Sequence, residues 1–136
     1  MGTVHFTSGY KYQLTKDATL SGLHLPVDGP RESRFLALGP SSITLKAGYA
    51  SDGPSGPAID TASFMRGAFF HDGLYQAIRV MWLPPETREY ADKLLRQICL
   101  ADGMNPIRAW WVYHGVRLGG GPAADPKNRK RVRVVP

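Results

Sequence analysis

Hydrophobic and polar positions alternate in short runs over the first fifty residues. Tyr10-Lys11-Tyr12-Gln13-Leu14 has period two, and Arg34–Leu38 and Ser42–Leu45 are further strand candidates. Asp28-Gly29-Pro30 and Gly39-Pro40 interrupt them, so the pattern predicts a small antiparallel sheet. Residues 48–60, GYASDGPSGPAID, are too dense in Gly and Pro for a helix or an inner strand and read as a loop. The period then changes. Residues 61–82 have helical spacing, with Asp60 or Thr61 as N-terminal cap, and Leu83-Pro84-Pro85 predicts their end. Residues 86–102 place Tyr90, Leu94 and Ile98 at i, i+4 and i+8, with Leu95 alongside, and Gly103 stands where that helix should stop. Asn105 and Pro106 cap and open a third helix, Ile107 to about Leu118. Its aromatic residues are Trp110, Trp111 and Tyr113. Trp110 and Tyr113 share a face, and Trp111 points away, where exposure would suit a partner surface or a lipid interface.

The pattern therefore predicts an α+β fold: a small N-terminal antiparallel sheet, then a three-helix half carrying an antiparallel helix pair. At 136 residues one domain is expected, over residues 1–124, with residues 125–136 as a tail beyond the break Gly119-Gly120-Gly121-Pro122. Composition adds three things. Fifteen Gly and eleven Pro imply many turns around a modest core. The single cysteine, Cys99, rules out an internal disulfide and reads as a small core residue. No apolar run nears the roughly 20 residues of a spanning helix, and the start MGTVHFTSGY lacks the marks of a secretory signal.

Charge is uneven. The net charge is +6, and residues 125–136 contribute +4 of it through Lys127, Arg129, Lys130, Arg131 and Arg133 against Asp125. Such a tail can meet phosphates, an acidic partner or an anionic membrane surface, or be only a solvated end. Arg131-Val132-Arg133-Val134 also fits an edge strand. No aromatic platform interleaves with these charges, so a specific nucleic-acid motif is not indicated.

The candidate chemistry is His71-Asp72 in the apolar run FFHDGLYQA. Burying such groups is costly without partners. Adjacent helical side chains diverge by about 100°, which predicts two separate roles. His71 can act as general base on water if a carboxylate fixes its tautomer. Asp92 on the next helix offers one across the Pro-Pro turn, and Tyr75 lies on the His71 face at i+4. Asp72 can serve a hard cation such as calcium, which takes 6–8 oxygens, with Asp52 and the carbonyls of the Gly-rich loop as further donors. Gly73 predicts close approach of another backbone. Other readings stand beside these. His71 and Asp72 can be a purely structural pair, and Asp52-Gly53 a turn. Tyr75 can be a core tyrosine. Asp92, with Arg88 at i−4 and Arg96 at i+4, can be the middle of a surface salt-bridge ladder.

In order and spacing these residues resemble the core of the phospholipase A2 superfamily: a Gly-rich calcium loop, a helix with His-Asp-x-x-Tyr, and an antiparallel helix with an Asp. The resemblance implies that His71 activates water, that Asp92 and Tyr75 orient it, and that Asp72 holds calcium with Asp52, Gly53 and Gly56 of the loop. Phe70 and Leu74 stand where that superfamily carries cysteines. A wider resemblance, over about Tyr10 to Gly120, rests on GYASDGPSGP, HDGLY, Arg88-Glu89-x-Ala91-Asp92 and Tyr113-x-x-Val116-Arg117. It is to the small phage and prophage proteins of domain-of-unknown-function family 1353. Together the two imply a phage-encoded, calcium-dependent ester hydrolase acting on the host envelope, located in host cytoplasm or virion. The alternative they leave open is a non-enzymatic virion or tail component, or a host-modulating binding protein.

Overall fold

The computed structural model describes residues 3–7, 12–51 and 62–119. Strands come first and helices second, an α+β arrangement. The strands form two small antiparallel sheets rather than one. β1 (Phe6–Thr7), β2 (Tyr12–Leu14) and β7 (Ala50–Ser51) make a three-stranded sheet in the order β1-β2-β7. β3 (Ala18–Ser21), β4 (Arg31–Glu32), β5 (Leu36–Gly39) and β6 (Ser42–Leu45) make a four-stranded sheet in the order β3-β6-β5-β4.

Period two decides which face of the larger sheet is inside. Leu36 pairs with Leu45, Leu38 and Leu20 with Ile43, and Ala18 with Leu45, and all six side chains are buried. On the opposite face Thr19 and Thr44 pair through their hydroxyls at 2.8 Å. The reading of residues 48–60 as loop is corrected at its start. Ala50 and Ser51 are strand, paired with Gln13 and Tyr12. The Gly/Pro density begins only at Gly53, and the residues before it keep the N–H groups a ladder needs. Gly48 has φ +96°, and a Cβ there would stand 2.6 Å from the Phe35 ring, so both backbone and space call for glycine.

The helices are α1 (Ala62–Arg79), α2 (Thr87–Ala101) and α3 (Pro106–Gly119). α1 stops before the prolines that were expected to end it. Met81 adopts a left-handed φ of 66°, and the amides of Met81 and Trp82 turn back to the carbonyls of Ile78 and Ala77. α2 ends in the same way on Gly103, φ +95°, with Gly103 and Met104 bonded to Leu100 and Cys99. α3 begins where Asn105 accepts the amide of Ile107 at 2.8 Å.

α1 is the central element. One side lies on the larger sheet, where Gly73 is the point of closest approach. A Cβ there would meet Leu45 at 2.6 Å and Ile43 at 3.3 Å. The close neighbours of Gly73 are thus sheet side chains, not the backbone the sequence suggested. Its other side packs on α2, where Gly67 lies against Leu95 and Cys99. At that end of the pair Arg66 grips Asp102 with two hydrogen bonds, 3.0 and 2.9 Å. The α2 stripe is also shifted from its expected position. Ala91, Leu95, Ile98 and Cys99 face inward, and Tyr90 and Leu94 are only half-buried beside them. That rotation carries Asp92 into the interior.

No helix among the described residues is long and apolar enough to cross a membrane. The 124/125 boundary and the basic tail lie outside the described residues.

Candidate functional site

His71 and Asp72 diverge as neighbours on a helix must. His71 turns to α2, where its Nε2 lies 2.6 Å from Asp92 Oδ1. Asp72 turns to the end of β7, where its Oδ2 accepts a hydrogen bond from the Ser51 hydroxyl. Tyr75, one turn after His71, stacks its ring 4.2 Å from the imidazole at a tilt of 40°. Its hydroxyl donates to the same Asp92 oxygen at 2.6 Å. The carboxylate is fully buried, and such a group persists in the interior only with donors on its lone pairs.

The hydrogen-bond donors come from α1 and α3, and α2 adds a nearby cation. Arg117, in the last turn of α3, gives Nη1 to Asp92 Oδ2 at 2.8 Å. Arg88, one turn before Asp92 on α2, stands 3.9 Å from the same oxygen. Its guanidinium also bonds the carbonyls of Val116 and Arg117 at 3.2 and 3.3 Å and reaches the Tyr75 hydroxyl at 3.4 Å. It thereby caps the carbonyl end of α3, where a cation is favoured. The sequence reading of Asp92 as the middle of a surface ladder is corrected. Arg88 is its i−4 neighbour as expected, but the carboxylate is interior, and Arg96 instead lies over the Tyr113 ring at 5.7 Å.

The protonation states follow from this geometry. Burial pushes the Asp92 carboxyl up. The hydrogen bonds from His71, Tyr75 and Arg117 outweigh it and hold the group below its ordinary value. Burial raises the Tyr75 hydroxyl far above its ordinary value, and the Asp92 charge raises it further, so Tyr75 keeps its proton and donates it to Asp92 while its oxygen accepts from Arg88. Burial lowers the Arg117 guanidinium, but the hydrogen bond to Asp92 reverses this and leaves it raised. An ionised Asp92 can only accept, so the His71 proton sits on Nε2. Whenever the ring is neutral its lone pair is therefore on Nδ1, which has no partner among the described residues. A neutral imidazole fixed in one tautomer, with a free basic nitrogen, is equipped to take a proton from water.

The cation reading has less beneath it. Asp72 brings one carboxylate and Ser51 one hydroxyl toward the 6–8 oxygens that calcium takes. Among the described residues no three His, Cys, Asp or Glu side chains cluster as a metal site. By themselves these groups do not make a calcium site. Asp52, Gly53 and Gly56, the other expected donors, lie outside the described residues.

Thus His71, Asp92 and Tyr75 meet at one point and Asp72 stands apart from them. The residues that sequence reasoning gave no part are Ser51, Arg88 as a cap for α3, and Arg117. Arg117 stood in the sequence only within the pattern Tyr113-x-x-Val116-Arg117, without a role; its place as the basic residue of the last turn of PIRAWWVYHGVRLG was a further signal. Comparison of the chain with protein-family models, with curated proteins and with solved structures finds no match.

Proposed function

We propose that the chain is a hydrolase in which His71 is the general base, acting on an ester or related bond. The observation that carries this reading is the Asp92 centre. One buried carboxylate oxygen holds both the His71 Nε2 proton and the Tyr75 hydroxyl, and Nδ1 stays available. In the step, Nδ1 takes a proton from water, and the oxygen forms its bond to the acyl carbon. On collapse the carbon–oxygen bond to the leaving group breaks, and the leaving alkoxide takes the proton back from Nδ1. Asp92 stays ionised and balances the imidazolium that exists between the two transfers. Tyr75, Arg88 and Arg117 are positioning residues that act through Asp92. A phage setting and an envelope substrate are what the family resemblance adds to this proposal.

A second reading has its own support. The His71 side chain is only 10% exposed, and two arginines help bind Asp92. The cluster then serves to tie three helices together in a non-enzymatic phage component or binding protein. Hydrolysis of nitrophenyl esters and of phospholipid vesicles, with and without calcium, separates the two. The hydrolase reading expects turnover that His71→Asn abolishes while the fold is retained, as far-ultraviolet circular dichroism would show. No turnover by the wild type, or an unchanged rate in His71→Asn, leaves the tie as the function of the cluster.

A further inference from the structure

The outward face of α3 is apolar, and none of the described residues covers it. At about 100° per residue, Ile107, Trp110, Trp111, His114 and Leu118 fall within one sector about 100° wide. Ala109 and Val112 lie on the opposite side, buried against Phe64, Leu95 and Cys99. The outward residues are exposed at 69% (Ile107), 44% (Trp110), 66% (Trp111) and 88% (Leu118). Trp111 is exposed, as the sequence reading required for a partner or lipid surface, and Trp110, which that reading grouped with Tyr113, is exposed as well. Trp110 and Trp111 stand edge to face at 5.3 Å, and Trp110 packs on the His114 ring at 4.2 Å. An exposed stripe of this kind marks an interaction surface.

Charge says what covers it. Residues 1–102 hold ten basic and ten acidic side chains and balance at zero. From Gly103 to the end there are seven basic residues and one acid, Asp125, so this segment carries the whole net charge of +6. α3 itself has no acidic residue, and Arg108 and Arg117 flank the stripe on its two sides. A second copy of the chain would bring two +6 segments together, which charge repulsion opposes. An acidic apolar plane satisfies both features at once. Tryptophan and leucine insert at the level of the headgroups, and clustered Lys and Arg meet anionic lipid.

We propose that the α3 stripe, Ile107, Trp110, Trp111 and Leu118, docks the protein on an anionic lipid bilayer, with the basic residues after Gly119 adding electrostatic attraction. The proposal is independent of the reaction assigned to His71. Its surface also shares a helix with Arg117. Because Arg117 binds Asp92 and Arg88 binds the end of α3, docking through α3 sets the attitude of the His71 cluster toward the membrane.

The test is partition of the full chain onto vesicles of phosphatidylcholine with phosphatidylglycerol, against vesicles of phosphatidylcholine alone. Tryptophan emission and quenching by brominated lipid report insertion. The anionic vesicles are expected to bind the protein, shift its emission to the blue and quench it. Trp111→Ser with Leu118→Ser, both solvent-facing, is expected to weaken partition about tenfold at unchanged melting temperature. Arg129→Gln with Arg131→Gln is expected to weaken it and to flatten its salt dependence. The proposal is overturned by absence of binding, or by binding without a blue shift that the Trp111/Leu118 variant leaves intact. A dimer that this variant dissolves, formed without vesicles, overturns it in favour of a second copy. Preferential capture by an acidic protein or by nucleic acid through the same residues overturns it as well.

Discussion

The α1–α2 pair is clamped at two places by an aspartate, and the two clamps are built differently. At one end Asp102 takes both oxygens to a single guanidinium, that of Arg66, and its side chain remains 23% exposed. Towards the other end Asp92 is fully buried and is shared by an imidazole, a phenol and a guanidinium from two other helices. A paired fork is complete in itself and needs nothing more than two helices in contact. The Asp92 cluster orders a histidine tautomer and leaves one ring nitrogen free, which a structural clamp does not require. The Arg66–Asp102 fork joins two helices, whereas Asp92 joins three, and the proposal of chemistry at His71 rests on the ordered ring rather than on the burial alone.

The strongest way to break the comparison is to remove both carboxylates in turn. Asp92→Ala strands Arg117, Arg88 and His71 around an empty interior position. A loss of about 3–5 kcal/mol is expected in urea or guanidinium unfolding. The Arg117 guanidinium is the next lever. Arg117→Gln removes one charged hydrogen bond to Asp92 and is expected to cost about 1.5–3 kcal/mol. Its sharper signature is in acid. The Asp92 carboxyl is held below its unfolded value of about 3.9, so its stabilisation is complete above that pH and is lost as pH falls through the folded value. Without Arg117 the folded value rises, and the acid-unfolding midpoint should move to higher pH. An unchanged midpoint would show that His71 and Tyr75 alone set the state of Asp92.

Asp102→Asn is the matched control. The amide keeps one acceptor for Arg66, so the loss should be about 1.5–3 kcal/mol, below that of Asp92→Ala, and hydrolysis should be untouched. A loss as large as that of Asp92→Ala would erase the distinction between the two clamps. The smallest effect is expected at Cys99, beside the Asp102 clamp. Burial, with the Asp102 charge adding to it, pushes its thiol up to about 12. The folded chain should therefore resist alkylation at pH 8, with full modification only after denaturation, as intact mass would show.

Much of this was legible in the sequence, and the exceptions have particular causes. The three helices followed from their spacing and from Pro85, Gly103, Asn105 and Pro106. β5 and β6 were visible because four-residue runs such as LALG and SITL keep their alternation. β1, β4 and β7 have two residues each, too short for any period, so the division into two sheets could not be read. The meeting of His71 with Asp92 and Tyr75 was anticipated from helical spacing and the Pro-Pro turn. Asp92 also drew the competing reading of a surface ladder, because local charge pattern treats an acid between two arginines as solvated.

The sequence by itself determined the local conformations, since backbone preference and side-chain period act over a few residues. It likewise determined that an imidazole and a carboxylate adjacent on one helix must face different ways. Only the tertiary structure decided that Asp92 is interior, that Arg117 comes from forty-six residues beyond His71 to hold it, and that two tryptophans of α3 face outward. Burial of a charge depends on donors delivered by other elements. No stretch of sequence read alone contains the third helix that supplies them.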